Sequence, residues 1–285
     1  MHSANDRIVI LMTACVFPEG KNIVKLSDPT IRKKQYLDAI EFYLRETKCN
    51  IVFCENSGTN IYDDVSFHEK ERLEYLTFSF RGGEDKGTGY GEAKIIEYAI
   101  RNSQFIRKAS GVIKITGRVR ILNINEICRS AHTKNNRQFV SISFCSDLGL
   151  MTSSVCFLAT KEWLFDTMVS YIDNFNNLSD KLLENYIYIK IVEDSALKIF
   201  RLNPIINGIC AGINRPYGNI PEFKHKHGHF CKLYRIYKSR NDRRMSLITW
   251  SIWHWYSLQS IIIRYFSTLE FVHRRHRNSL DKKYA

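Results

Sequence analysis

Apolar residues run without interruption through Arg7-Ile-Val-Ile-Leu-Met-Thr-Ala-Cys-Val16, which predicts a strand buried on both faces. A loop with Pro18, Gly20 and Lys21 follows, and then Asp28-Pro29 reads as an N-cap with proline at the first helical position. Tyr36, Leu37, Ile40 and Leu44 give the next segment a helical period to about Glu46. Cys49-Asn-Ile-Val-Phe-Cys54 is a second buried run, closed by the polar cluster Glu55-Asn56-Ser57-Gly58-Thr59-Asn60. Strand, helix, strand and a Gly/Asn/Ser loop form the βαβ opening of a nucleotide-binding sheet.

The alternation continues. Tyr75–Phe80 predicts a third strand, and the glycine-rich stretch Arg81–Gly91 predicts a loop opening into a helix from Glu92 to about Ser103. Further strands are expected at Gly111–Arg118, Phe139–Cys145 and, shorter, Ser154–Leu158, with helices around Lys161–Tyr171 and Ser179–Val192. The expected class is α/β, a mostly parallel central sheet flanked by helices. After it the pattern changes: Trp250, Trp253 and Trp255 crowd together, Ile261-Ile-Ile263 follows, and Arg and His flank both sides. We therefore expect a catalytic-sized domain over 1–222 and a C-terminal amphipathic helical segment over 223–285.

Charge sharpens that boundary. The net charge of +13 is uneven: Met1–Glu222 holds 28 basic and 26 acidic residues, whereas Phe223–Ala285 holds 14 and 3. A near-neutral body argues against nucleic acid and for one local anionic partner of the tail. At 44% hydrophobic residues the chain can bury a sizeable core. None of the eight cysteines forms a C-x-x-C pair and most lie in apolar runs, so buried thiols in a reducing cytoplasm are expected. No signal-peptide pattern and no run of about 18 apolar residues is read.

Candidate chemistry falls at the predicted strand ends. Lysine is rare inside a strand, and Lys114-Ile-Thr-Gly117-Arg118 places two cations near the edge where open α/β sheets bind ligands. Asp147 ends an apolar strand, and Glu184 sits beside the apolar stripe Leu183, Ile187 and Ile191. Either suits a general base, a nucleophile, a sugar-hydroxyl anchor or a solvated cap. The Gly83–Gly91 stretch could cradle a phosphate, but Glu92 would repel an anion there, and a plain flexible loop is the alternative. The acid pairs Asp63-Asp64, Glu84-Asp85 and Glu193-Asp194 form no D-x-D after a strand, and His225-Lys-His-Gly-His229 is embedded in lysines. No metal site is assigned, and Mg²⁺ or Mn²⁺ is kept only as an alternative cofactor. In the tail Trp250, Trp253 and Trp255 with Arg274, Arg275 and Arg277 suit an anionic membrane surface, against the alternative of a core helix.

Taken together, the first strand ending at Thr-Ala-Cys-Val16, a helix with Arg32 and Gln35-Tyr36, and Glu55-Asn56-Ser57-Gly58 resemble bacterial surface-polysaccharide glycosyltransferases with a GT-A-like, Rossmann-type fold. So do Gly-Tyr-Gly-Glu-Ala-Lys94 and Lys114–Arg118. The resemblance covers roughly Arg7–Tyr217. It implies transfer from a nucleotide-sugar donor to a lipid-linked or oligosaccharide acceptor of capsule, O-antigen or lipopolysaccharide, peripherally at the cytoplasmic face of the inner membrane. It further implies that Asn56, Ser57 and Gly58 touch the nucleotide, and that Lys94 and the glycine stretch with Gly91 touch its phosphates. Lys114, Arg118 or other basic groups would neutralise the leaving group, Gly117 between them would bind the donor, and Asp147 or Glu184 would serve the sugar or the acceptor hydroxyl. A non-catalytic, membrane-peripheral binding protein of the same fold is the alternative.

Overall fold

A computed structural model describes residues 8–18, 25–66, 69–80, 86–130, 140–144, 152–178, 181–194, 197–198, 204–210 and 214–217. All of these belong to the compact unit Met1–Ile220. Asp147 and the expected tail segment, with Trp250, Trp253, Trp255, Arg274, Arg275 and Arg277, lie outside the described residues.

Chain order begins β1 (Ile8–Ala14), α1 (Pro29–Glu46), β2 (Asn50–Glu55), β3 (Leu73–Thr77), α2 (Gly87–Asn102), α3 (Gln104–Lys108) and β4 (Gly111–Thr116). It continues β5 (Arg120–Ile121), α4 (Ile124–Ser130), β6 (Val140–Phe144), β7 (Thr152–Ala159), α5 (Lys161–Asn174) and α6 (Leu183–Asp194). Four two-residue strands complete it: β8 (Leu197–Lys198), β9 (Ile206–Asn207), β10 (Ile209–Cys210) and β11 (Arg215–Pro216). The central sheet has the order β3-β2-β1-β4-β7-β6-β8. Its left half, β3 to β4, is parallel, and β7 runs antiparallel to both β4 and β6. The expected class, a mostly parallel sheet flanked by helices, is what the chain forms.

Local chemistry explains the first unit. The Asp28 carboxylate accepts from the Thr30 and Ile31 amides at 2.8 and 3.3 Å, capping α1 ahead of Pro29. Arg32, Tyr36, Ala39, Ile40, Tyr43 and Leu44 recur at helical spacing and are all buried. Every residue of β1 is buried, because both faces of the sheet are covered. Ile8, Ile10 and Met12 join α1 in one core, while Val9 and Leu11 join α2, α5 and α6 in the other.

Three boundaries differ from the sequence expectation. The third strand is Leu73–Thr77, not Tyr75–Phe80: Phe78 stacks on Tyr98 at 4.3 Å, and its amide donates to the Glu55 carbonyl where β2 ends. The strand around Ser154–Leu158 is longer, eight residues, since both β4 and β6 pair with it. The stretch Gly87–Gly91 is not a loop but the first turn of α2. Burial of Tyr90, 4.8 Å from the Phe175 ring, outweighs the roughly 1 kcal/mol per glycine that helix propensity opposes.

Candidate active-site cleft

From β1 the chain passes outward to β2 and β3 on one side, and β4 is added on the other side of β1. The C-terminal ends of β1 and β4 therefore diverge at a topological switch point, where sheets of this kind leave a crevice. A cleft of about 560 Å³ lies there. Thr13, Ala14 and Cys15 line it from β1, Asn56 from the end of β2, and Thr116 and Arg118 from β4. The first turn of α2, Ser154 of β7 and the start of α6 close the opposite side.

Two guanidinium groups enter this cleft. Arg32 donates through Nε and Nη2 to the Cys15 carbonyl at 2.8 and 2.6 Å, through Nη1 to the Leu26 carbonyl at 3.0 Å, and to the Tyr36 hydroxyl at 3.2 Å. Arg118 donates to Gln35 Oε1 at 3.2 Å and to the Ile209 carbonyl at 3.4 Å. Only 5% of Arg32 and 8% of Arg118 is exposed, and among the described residues every partner of either group is a neutral oxygen. Burial pushes the Tyr36 hydroxyl pKa up, with both guanidiniums acting in the opposite direction, so the two charges share one neighbourhood. Buried cations without a counter-charge are costly, and an anionic ligand removes that cost.

The first turn of α2 adds to the same field. Among the described residues no side chain caps this end, so backbone N–H groups of the turn are placed to meet a ligand, on the positive end of the helix dipole. Gly87 holds φ +78°, a conformation that L side chains disfavour. A Cβ on Gly89 would lie 3.0 Å from Leu183 Cβ, so that glycine lets α2 and the start of α6 approach. Lys86 Nζ stands 4.7 Å from the centre of the Tyr90 ring at the rim.

Carboxylates occupy the other wall. Lys114 is fully buried, because strand alternation points it to the α2 side of the sheet. Its ammonium pairs with Glu92 Oε1 and donates to the Ser154 carbonyl at 2.5 Å and to Thr116 Oγ1 at 3.4 Å. Thr13 Oγ1 also donates to Glu92 Oε1, at 3.1 Å. Ser154 Oγ donates to Glu184 Oε1 at 2.6 Å, so Ser154 links the two acidic side chains that line the cleft. Nearby, burial and the Cys210 thiol raise the Tyr217 hydroxyl pKa well above its ordinary range.

Beside Arg32, the loop after β2 is built around Glu55. This fully buried carboxylate accepts from the Val16, Ser57 and Thr59 amides at 2.9, 2.8 and 3.0 Å, from the Ser57 hydroxyl, and from Thr77 Oγ1 at 3.2 Å. The loop is thereby fixed, and Asn56 is held at the cleft with its Oδ1 buried and without a hydrogen-bond partner among the described residues. Such an orphan acceptor is satisfied by a donor on a ligand.

Of the residues expected from sequence, Asn56, Gly91, Arg118 and Glu184 come together around the cleft. Five do not line it. Ser57 serves Glu55, and Gly58 (φ +73°) turns the loop. Lys94 pairs with Glu97 at 3.0 Å. Lys114 lies behind Glu92 with its ammonium already paired. Gly117 is required because a Cβ would stand 2.8 Å from the Thr13 carbonyl. Sequence reasoning passed over Arg32 and Glu92 as site residues. An arginine four residues before Tyr36 on a buried helical stripe was the available signal for Arg32. A lone strand lysine in need of a counter-ion was the signal for Glu92. Among the described residues no group of three or more His, Cys, Asp or Glu side chains converges to hold a metal. None of the six described cysteines is in a disulfide, and Cys49 and Cys128 stand 3.6 Å apart, sulfur to sulfur. No helix among the described residues is long and apolar enough to cross a membrane.

No protein-family model matches this sequence, and no curated protein is similar to it. Solved structures with a similar arrangement include a glycosyltransferase involved in glycosylation of the PBCV-1 major capsid. It is 11% identical with a TM-score of 0.45, and the match covers 78% of this chain and 98% of that one. A 4-diphosphocytidyl-2C-methyl-D-erythritol synthase from Anaerococcus prevotii is 7% identical with a TM-score of 0.43, over 82% and 99% of the two chains. The galactosyltransferase LgtC is 8% identical with a TM-score of 0.42, over 67% and 72%.

Proposed function

We propose that this protein is a GT-A-like glycosyltransferase that uses a nucleotide-sugar donor. One observation carries the reading: Arg32 and Arg118, both nearly buried and both without a carboxylate partner among the described residues, line a cleft that also receives the uncapped first turn of α2. A phosphate or diphosphate satisfies all three at once. The same groups stabilise the charge that develops on a nucleotide leaving group as the glycosidic bond breaks. Asn56 Oδ1 accepts from the nucleoside. Glu184, held by Ser154, faces the cleft as base, nucleophile or hydroxyl anchor.

The described residues do not fit a divalent cation. Glu92 already pairs with Lys114, and among the described residues no third His, Cys, Asp or Glu converges with Glu92 and Glu184 to complete a site for Mg²⁺ or Mn²⁺. The acceptor in this reading is a surface glycan, lipid-linked or oligosaccharide, at the cytoplasmic face of the inner membrane, supported by the resemblance and by the basic, tryptophan-rich 223–285 segment.

Thermal shift against UDP, GDP, CMP and their sugars tests the core of the proposal. A ligand at 100 times its Kd stabilises by about 2.7 kcal/mol. Arg118→Ala should weaken the preferred nucleotide by about tenfold or more, as loss of a charge-assisted contact predicts. No shift with any nucleotide, or equal shifts in wild type and variant, refutes it. The membrane part is tested separately: sedimentation with anionic vesicles should be lost on combining Trp253→Ala with neutral substitutions at Arg274, Arg275 and Arg277.

A further inference from the structure

The cleft carries groups of both charge signs. Its guanidinium groups suit the phosphates of the reading above, on which this inference rests. It also presents Glu92 and Glu184, joined through Ser154: the Ser154 hydroxyl donates to Glu184, and its carbonyl accepts from Lys114, which pairs with Glu92. Glu92 is not a surface carboxylate. Its Oε1 is held by Lys114 and Thr13, its side chain is 20% exposed, and Oε2 has no hydrogen-bond partner among the described residues. An oriented acceptor with one open oxygen, next to a site for the phosphates of a sugar nucleotide, is chemistry suited to a sugar hydroxyl or amine.

From this we infer that Glu92, oriented by Lys114 and Thr13, contacts the sugar of the donor and makes the cleft select neutral or amino sugars over acidic ones. Lys114 is a positioning residue in this scheme: it is fully buried, does not line the cleft, and acts through Glu92. A sugar carboxylate placed against Glu92 has no proton to offer the open Oε2, so two acceptors face each other and the contact is disfavoured, whereas a hydroxyl or amine donates to it. Lys86 and Lys181 also line the cleft and attract anions of any kind. Their ammonium groups stand over the Tyr90 and Phe175 rings, at 4.7 and 5.0 Å from the ring centres. The test therefore reads how selectivity changes when Glu92 alone is altered.

Titration calorimetry on the full chain should compare UDP, UDP-glucose and UDP-glucuronate, with GDP, GDP-mannose and GDP-mannuronate as the purine series. In the series whose free nucleotide binds, wild type should favour the neutral sugar over the uronate by about tenfold or more, or about 1.4 kcal/mol. Glu92→Gln should weaken the neutral sugar nucleotide about tenfold, leave the free nucleotide within about twofold, and erase most of the selectivity. Because this variant leaves a buried ammonium behind, the double variant Glu92→Gln/Lys114→Met, which removes both charges, is measured alongside and should show the same selectivity loss. Equal effects on nucleotide and sugar nucleotide, or a wild type that binds the uronate as well as the neutral sugar, overturn the inference and leave the nucleotide reading standing. If neither UDP nor GDP binds, the inference falls as well, and the proposed function falls with it only if CMP also fails to bind.

Discussion

Replacing Lys114 by methionine keeps the length and apolar stem of the side chain and removes only the charge. In the native protein that ammonium is wholly buried among Glu92, the Ser154 carbonyl and Thr116, with the Phe157 ring 5.8 Å away. Removing one partner of a buried pair leaves the other uncompensated, at about 3–5 kcal/mol. Water reaches the Glu92 side chain, which is 20% exposed, so Lys114→Met should fall near the lower end, about 3 kcal/mol. Glu92→Gln strands an ammonium that is 0% exposed and should cost about 3–5 kcal/mol. With both charges gone the desolvation penalty of each is absent, so the double variant should lie within about 1 kcal/mol of wild type. That corresponds to a coupling energy of about 5 kcal/mol or more. Urea and thermal melts of the four proteins measure it, and at about 2–4 °C per kcal/mol the Lys114→Met melt should fall by about 6–12 °C. If each single variant stays within 1 kcal/mol of wild type and the effects add, the pair is not the anchor described above.

Other consequences are as specific. Glu184→Gln keeps the Ser154 hydrogen bond but not the charge, and should lower turnover at least about a hundredfold if Glu184 acts as base or nucleophile; unchanged turnover removes it from the chemistry. Gly89→Ala pushes its new methyl against Leu183 and the Tyr171 hydroxyl, and should cost about 1–3 kcal/mol in a urea melt, with reduced activity because Glu184 follows Leu183 directly. Burial pushes the Cys156 thiol up from 9.0 to about 12, with Lys114 acting in the opposite direction. The folded state holds that proton where the unfolded chain releases it, so this stability is complete below pH 9 and is lost progressively between about pH 9 and 12. Cys156→Ala should flatten the alkaline decline by about 1.4 kcal/mol per pH unit in that window, read from urea melts at pH 8 and 10; identical declines would show the thiol is not responsible. Finally, activity should survive EDTA at least in part, and complete loss restored by Mn²⁺ would reveal a metal site among the acidic groups.

What the sequence by itself determined is what local rules control. Asp28-Pro29 set the start of α1 through a side-chain cap and a fixed φ. Continuous apolar runs set β1, β2 and β4, because a strand covered on both faces has no polar side to show. The period of Leu183, Ile187 and Ile191 oriented α6 and left Glu184 beside the buried stripe. The oddity of Lys114 and Arg118 at one strand was legible too, but not their separate fates. Two residues past Thr116, Arg118 reaches the cleft, whereas Lys114 lies within the strand and turns to α2. That division depends on which helix covers which face. Only the tertiary structure brought Glu92 across 22 positions to Lys114, converting a charge that looked hostile to an anion into a neutralised, oriented acceptor. Only packing of Tyr90 against Phe175 made a helical turn of Gly87–Gly91, against the preference of glycine. Pairings over such separations depend on loop closure and burial summed over the whole sheet, and no window of sequence contains that sum.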